Sequence, residues 1–105
     1  MTLIPLGNHE KYCWTMPAIG NSTLKSTKWK VTISAATSVT FDKDECKYID
    51  DNTYSVVVDT LKIGCGPVRI MLDVDIFDAD APNGVRKQQS YFITDDTIVR
   101  WDAIR

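Results

Sequence analysis

The stretch Val68-Arg69-Ile70-Met71-Leu72-Asp73-Val74-Asp75-Ile76 constrains this chain more than any other. Val68, Ile70, Leu72, Val74 and Ile76 share one parity, while Arg69, Asp73 and Asp75, joined by Met71, share the other. A β-strand sends successive side chains to opposite faces. A sustained period of two therefore predicts a strand with one dry face and one mostly wet face. Its length suits a central position in a sheet.

Shorter segments repeat the pattern. Tyr12, Trp14 and Met16 alternate with Lys11, Cys13 and Thr15. Trp29, Val31 and Ile33 alternate with Lys28, Lys30, Thr32 and Ser34. Val39 and Phe41 alternate with Ser38, Thr40 and Asp42, and Tyr54, Val56 and Val58 with Ser55, Val57 and Asp59. Two short runs, Ser90 to Thr94 and Thr97 to Trp101, close the series. All are rich in Val, Ile, Thr and aromatic residues, which suit a pleated surface. Turn residues lie between them: Gly20-Asn21, Asp50-Asp51-Asn52, Gly64-Cys65-Gly66-Pro67, Asp78 to Gly84 around Pro82-Asn83-Gly84, and Asp95-Asp96. No segment sustains a helical period, which leaves room only for single helical turns in loops. Roughly six to eight short strands with regular turns predict an all-β sandwich or barrel, and the expected fold is an immunoglobulin-like antiparallel β-sandwich.

A chain of 105 residues is long enough for one core without staples. The sandwich is assigned to residues 10–105. Residues 1–9 stand apart, with the apolar cluster Leu3, Ile4, Pro5 and Leu6 before Gly7-Asn8. Two readings stay open for them: an edge strand folded onto its own domain, or an arm that docks on a neighbour.

Charge and motif content narrow the function classes. The net charge of −2 gives no basis for nucleic-acid binding through phosphate neutralisation. The N-terminal residues lack the basic and apolar regions of a signal peptide, and no run approaches bilayer-spanning length, so a soluble product made in a cytoplasm is expected, without a membrane partner. Cys13, Cys46 and Cys65 are odd in number and contain no CxxC. Reduced thiols in or near the core are expected, without a four-cysteine zinc site. The one histidine, His9, sits in the N-terminal segment, a poor place to hold a general base. Asp73, Asp75, Asp78 and Asp80 offer oxygen ligands but break the spacing of a calcium loop, so a solvated strand face and an Asp-rich turn are expected. Gly64 and Gly66 precede a strand rather than a helix, which suits a tight turn and not a dinucleotide loop. In Lys28-Trp29-Lys30, alternation places the indole opposite the two lysines, in the core. No enzyme, cofactor or metal is expected.

The segments Asp59-Thr60-Leu61-Lys62-Ile63-Gly64-Cys65-Gly66-Pro67-Val68 and Asp78-Ala79-Asp80-Ala81-Pro82-Asn83-Gly84-Val85-Arg86 carry a resemblance. They resemble a pattern in small immunoglobulin-like virion proteins of crAss-like and other Bacteroidetes phages. That pattern runs D-T-x-x-L-G-x-G-x-V, a long strand, then I-P-D-x-D-F-P-D-G-x-R. The opening Ile4-Pro5-Leu6-Gly7-Asn8, followed by Trp14, is similar to the starts of such proteins. The chain departs at Ile63 for Leu, Phe77 for Pro, Ala81 for Phe and Asn83 for Asp.

The resemblance implies a structural virion protein, assembled in the bacterial cytoplasm. The expected role is a head fibre or capsid-decoration subunit bound to the major capsid protein or other virion proteins. A homo-oligomer is expected, with a trimer as the first guess. Because the sequence stops at Arg105 with no adhesin after it, attachment itself is expected to be most of its work. Interface candidates are Leu3, Ile4, Pro5 and Leu6 for anchoring and Asp78, Asp80 and Arg86 for subunit contacts. The alternatives are a tail baseplate or collar adaptor, similar to the N-terminal sandwich of upper baseplate proteins, and a carbohydrate-binding sandwich using Tyr48, Tyr91 and Trp101.

Overall fold

A computed structural model describes residues 1–100 and Asp102. Its strands are β1 (Thr2–Pro5), β2 (His9–Thr15), β3 (Trp29–Ser34), β4 (Ser38–Asp42), β5 (Lys47–Asp50), β6 (Thr53–Asp59), β7 (Gly66–Phe77) and β8 (Val85–Val99). They form a five-stranded sheet in the order β1-β8-β7-β3-β4 and a three-stranded sheet in the order β2-β6-β5. The described chain is all-β, broken only by single 3-10 turns at Lys43–Glu45, Thr60–Lys62 and Pro82–Gly84.

The alternating patterns explain why these two sheets stack. Val68, Ile70, Leu72, Val74 and Ile76 of β7 are all buried, with Trp29, Val31 and Ile33 of β3 alongside. Tyr12, Trp14, Tyr54, Val56 and Val58 of the smaller sheet face them and complete one core. As expected, β7 is central: Ile70 pairs with Phe92 on one side and Ile33 on the other.

Three aromatic rings join the sheets, and a fourth extends the cluster within the smaller one. Trp29 on β3 meets Trp14 on β2 edge to face, with ring centroids 5.7 Å apart. It meets Tyr54 on β6 at 4.8 Å, and Tyr54 in turn meets Tyr48 on β5 at 5.6 Å. Such T-shaped pairs add roughly 0.5–1.5 kcal/mol each beyond their burial. The Trp29 indole N–H donates to the Leu24 carbonyl at 2.8 Å, while Lys28 and Lys30 are exposed.

Two elements differ from the sequence reading, and β1 takes one of the two readings left open for it. Strand β5 was not anticipated, because all four of its residues are exposed and no dry face produces alternation. Strand β8 is continuous where two runs divided by an Asp95-Asp96 turn were expected. Its pairing with β7 passes from Pro67↔Thr97 to Arg69↔Ile93, so extra β8 residues bulge out at Thr94 to Asp96. The Thr94 hydroxyl holds the bulge, donating to the Val68 carbonyl at 2.9 Å and accepting from the Asp96 N–H at 3.2 Å. The Trp101 end of the last expected run lies outside the described residues. Finally, β1 lies parallel to β8 in the register Thr2↔Asp96 to Pro5↔Val99, so residues 2–5 form an edge strand of their own domain.

Candidate interaction surfaces

The N-terminal candidates divide by face. Ile4 is in the core, Leu6 packs against it, and Pro5 is half-buried. Leu3 turns outward and is exposed. Leu6 donates its N–H to the Val99 carbonyl at 2.7 Å, so the segment is bonded to its own sheet on both sides of Pro5. Of the four residues expected to anchor a partner, only Leu3 presents a large apolar side chain to solvent.

The β7–β8 turn uses its charges internally. The Asp78 carboxylate accepts from the Asp80 N–H at 3.0 Å and from the Arg86 Nε at 3.0 Å. Arg86 also donates to the Gln88 side chain at 2.9 Å. The Asp80 N–H and then the Arg86 guanidinium hold the Asp78 carboxyl below the usual carboxylate range. Asn83 at φ 61° and Gly84 at φ 72° supply the left-handed backbone the turn needs. Asp78 and Arg86 therefore shape this turn, and Asp80 is left exposed at its tip.

The other motif residues also have local roles. The Asp59 carboxylate caps the Thr60–Lys62 turn by accepting from the Leu61 N–H at 3.0 Å. The buried Thr60 hydroxyl accepts from the Gly7 N–H at 2.7 Å and donates to the Asn8 carbonyl at 2.9 Å, latching the β1–β2 connection. Gly64 sits at φ +75°, and a Cβ there would lie 3.0 Å from the Ala36 Cβ. The residues that carry the resemblance thus cap, latch and turn the chain.

The remaining expected groups are dispersed. Tyr48 lies on the smaller sheet, donating its hydroxyl to Asp51 at 2.6 Å with Lys25 over its ring at 5.7 Å. Tyr91 lies on the far face of the larger sheet, so the two tyrosines do not share a surface. Trp101, the third aromatic of that set, lies outside the described residues. His9 opens β2, with Nε2 3.9 Å from the Asp59 carboxylate on β6. Asp75 is bonded to Lys87 at 2.9 Å on the outer face, away from Asp78 and Asp80. Among the described residues no group of three His, Cys, Asp or Glu side chains is placed to hold a metal ion.

Two of the thiols lie away from the core where they were expected, and Cys46 packs against it. Cys13 and Cys65 are exposed and Cys46 is half-buried, all free. Cys13 has the odd parity of β2 and faces outward between Lys11 and Thr15, and Cys65 lies in a turn. Burial, then Glu45 and Asp42, pushes the Cys46 thiol up to about 11. Burial, then the charge of Asp96, also raises the Tyr12 hydroxyl.

The surface that sequence reasoning missed is the free edge of β8. Strand β1 pairs only with Asp96 to Val99, leaving Val85 to Ile93, among the described residues, bonded on the β7 side alone. Beside that edge, Tyr91 and Ile93 are exposed on the outer face, with Ile93 92% exposed. The signal was in the sequence: Gln88-Gln89-Ser90-Tyr91-Phe92-Ile93 is uncharged and free of Gly and Pro. Splitting β8 at Asp95 hid its length.

Comparison with protein-family models, with curated proteins and with solved structures finds no match to this chain.

Proposed function

We propose that this chain is an immunoglobulin-like attachment subunit of a phage particle, a head fibre or decoration protein that works by protein–protein contact. The strand order carries the immunoglobulin-like part of the reading. In an immunoglobulin sandwich, strands B, E and D share one sheet and G, F, C and C′ the other. Here β2-β6-β5 corresponds to B-E-D, and β8-β7-β3-β4 to G-F-C-C′. Trp29 on β3 takes the place of the buried tryptophan on strand C. Where antibody domains set an inter-sheet disulfide beside that tryptophan, this chain sets Trp14 of β2.

The free thiols support assembly in a reducing cytoplasm, where phage particles form. The sandwich core stands without a covalent staple. The particle reading itself rests on the Asp59–Arg86 resemblance, whose residues cap and turn the chain and so speak first for the fold. Leu3 and the β7–β8 turn are the proposed contact points on the particle.

Particles purified from the phage that encodes this chain test the reading, by mass spectrometry and by immunogold labelling. The expected result is the chain in the particle fraction with gold on the head. Gold confined to the tail would replace the head assignment by the baseplate or collar adaptor. Absence of the chain from intact particles would overturn the proposal.

A further inference from the structure

Edge strands normally carry protection against unwanted pairing: a charge in mid-strand, a proline, a bulge or a covering segment. Among the described residues, the free edge of β8 has none of these from Gln88 to Ile93. Its charges are gathered at the ends, Arg86 and Lys87 before the uncharged run and Asp95 and Asp96 after it. A strand with a basic start and an acidic finish is complementary to a second copy of itself lying antiparallel. Laid parallel, the same strand would set Lys87 beside Lys87 and Asp95 beside Asp95.

We propose that β8 pairs edge to edge with β8 of a second copy, antiparallel about a two-fold axis through Tyr91, joining two five-stranded sheets into one. This goes beyond the attachment role and does not depend on it. In that register Lys87 faces the bulge of the second copy that carries Asp95, and Gln88 lies beside Thr94 at its start. Gln89 lies opposite Ile93, and Tyr91 lies opposite itself.

The side-chain faces agree with the register. Lys87, Gln89, Tyr91 and Ile93 stand on the outer face, opposite Asp75, Asp73, Met71 and Arg69 of β7. Pairing about Tyr91 builds one apolar row across the axis, Met71-Tyr91 meeting Tyr91-Met71, with the exposed Ile93 flanking it on each side. The end charges keep most of their surface in solvent although each has a partner in its own chain, Asp95 accepting from the Thr2 hydroxyl at 3.2 Å. Lys87 is 85% exposed while bonded to Asp75, and Asp95 is 75% exposed beside the N-terminal amine. The contact involves about nine residues a side, well below the roughly 20–30 of a standard interface, so a weak, concentration-dependent dimer is expected.

Two measurements test it. The first is sedimentation of the full chain across a concentration series into the high micromolar range. The weight-average mass is expected to rise from monomer towards dimer. Lys87→Asp and Asp95→Lys are each expected to weaken association about tenfold, because two symmetry-related pairs turn from attractive to repulsive. The double variant restores opposite charges and is expected to return within about threefold of the parent. The second is disulfide trapping in a chain with Cys13→Ser and Cys65→Ser. Directly opposed antiparallel residues have Cα atoms about 4.5–5.5 Å apart, within reach of a disulfide. Tyr91→Cys is expected to form a covalent dimer on oxidation. Gln89→Cys is not, because its counterpart lies four residues along, about 14 Å away. A monomer at every concentration, a trimer, a double variant that stays weak, or trapping of Gln89→Cys as fast as Tyr91→Cys would each overturn the proposal.

Discussion

The two tryptophans at the sheet interface make a controlled comparison. Trp14 is 3% exposed and Trp29 6% exposed, and they touch each other edge to face. Their indole N–H groups differ. That of Trp29 donates to the Leu24 carbonyl at 2.8 Å, and Leu24 is itself buried. That of Trp14 is buried with no partner among the described residues. Replacing either by Phe removes the same ring atoms, so the transfer and cavity costs are similar. Trp29→Phe also orphans a buried carbonyl, which costs about 1–3 kcal/mol. Trp14→Phe removes a donor that has lost its hydration without a bond in return, so part of its cost is recovered. Trp29→Phe is therefore expected to destabilise the domain by about 2 kcal/mol more than Trp14→Phe. For a domain of this size that is a gap in Tm of about 10 °C. Urea denaturation and calorimetry measure it directly. Equal losses, or a larger loss at Trp14, would refute the assignment of the hydrogen bond as the discriminating term.

Further predictions follow from the same contacts. Cys46, with its thiol raised from 9.0 to about 11, has about a hundredfold smaller thiolate fraction at pH 8 than an unshifted thiol. Iodoacetamide is expected to modify Cys13 and Cys65 well before Cys46, and peptide mass spectrometry reads the order. Because burial favours the neutral Cys46 thiol in the folded state, its contribution to stability is present below pH 9 and is lost as pH rises from about 9 towards 11. The raised Tyr12 hydroxyl acts in the same direction at still higher pH, so Tyr12→Phe is expected to flatten the alkaline limb of a stability–pH profile. Asp78→Ala is expected to lower Tm at neutral pH, with the difference from the parent closing as acid protonates Asp78. Gly64→Ala combines a left-handed backbone with a 3.0 Å contact to Ala36 and is expected to cost about 1–2 kcal/mol by urea denaturation, more than Gly20→Ala, where a Cβ meets nothing within 4 Å.

How far the sequence speaks depends on whether a strand buries one face. Strands β2, β3, β4, β6 and β7 each press alternate residues into the core, and each is visible as a period of two. Strand β5 buries nothing and leaves no pattern. The apolar residues of β1 suggest a strand, but nothing in Leu3 to Leu6 says that its partner is Thr97 to Val99, at the other end of the chain. The pair Asp95-Asp96 has turn composition and sits in a bulge, because the Thr94 hydroxyl supplies a bond that β8 gives up there. For the candidate surfaces the limit is different. Asp78 and Arg86 look like free surface charges in a sequence, and only the folded turn brings them together. The unprotected edge of β8 needs two facts at once, the uncharged run and the shortness of β1, and the second is a matter of topology.

The proposed attachment role is tested most directly by adding the purified chain back to particles that lack it. Particles from a deletion of the coding sequence, incubated with the folded chain and separated from free protein by sedimentation, should bind it saturably, at a copy number fixed by the symmetry of the particle surface. Bare particles that assemble normally and take up none of a chain shown to be folded would contradict the account.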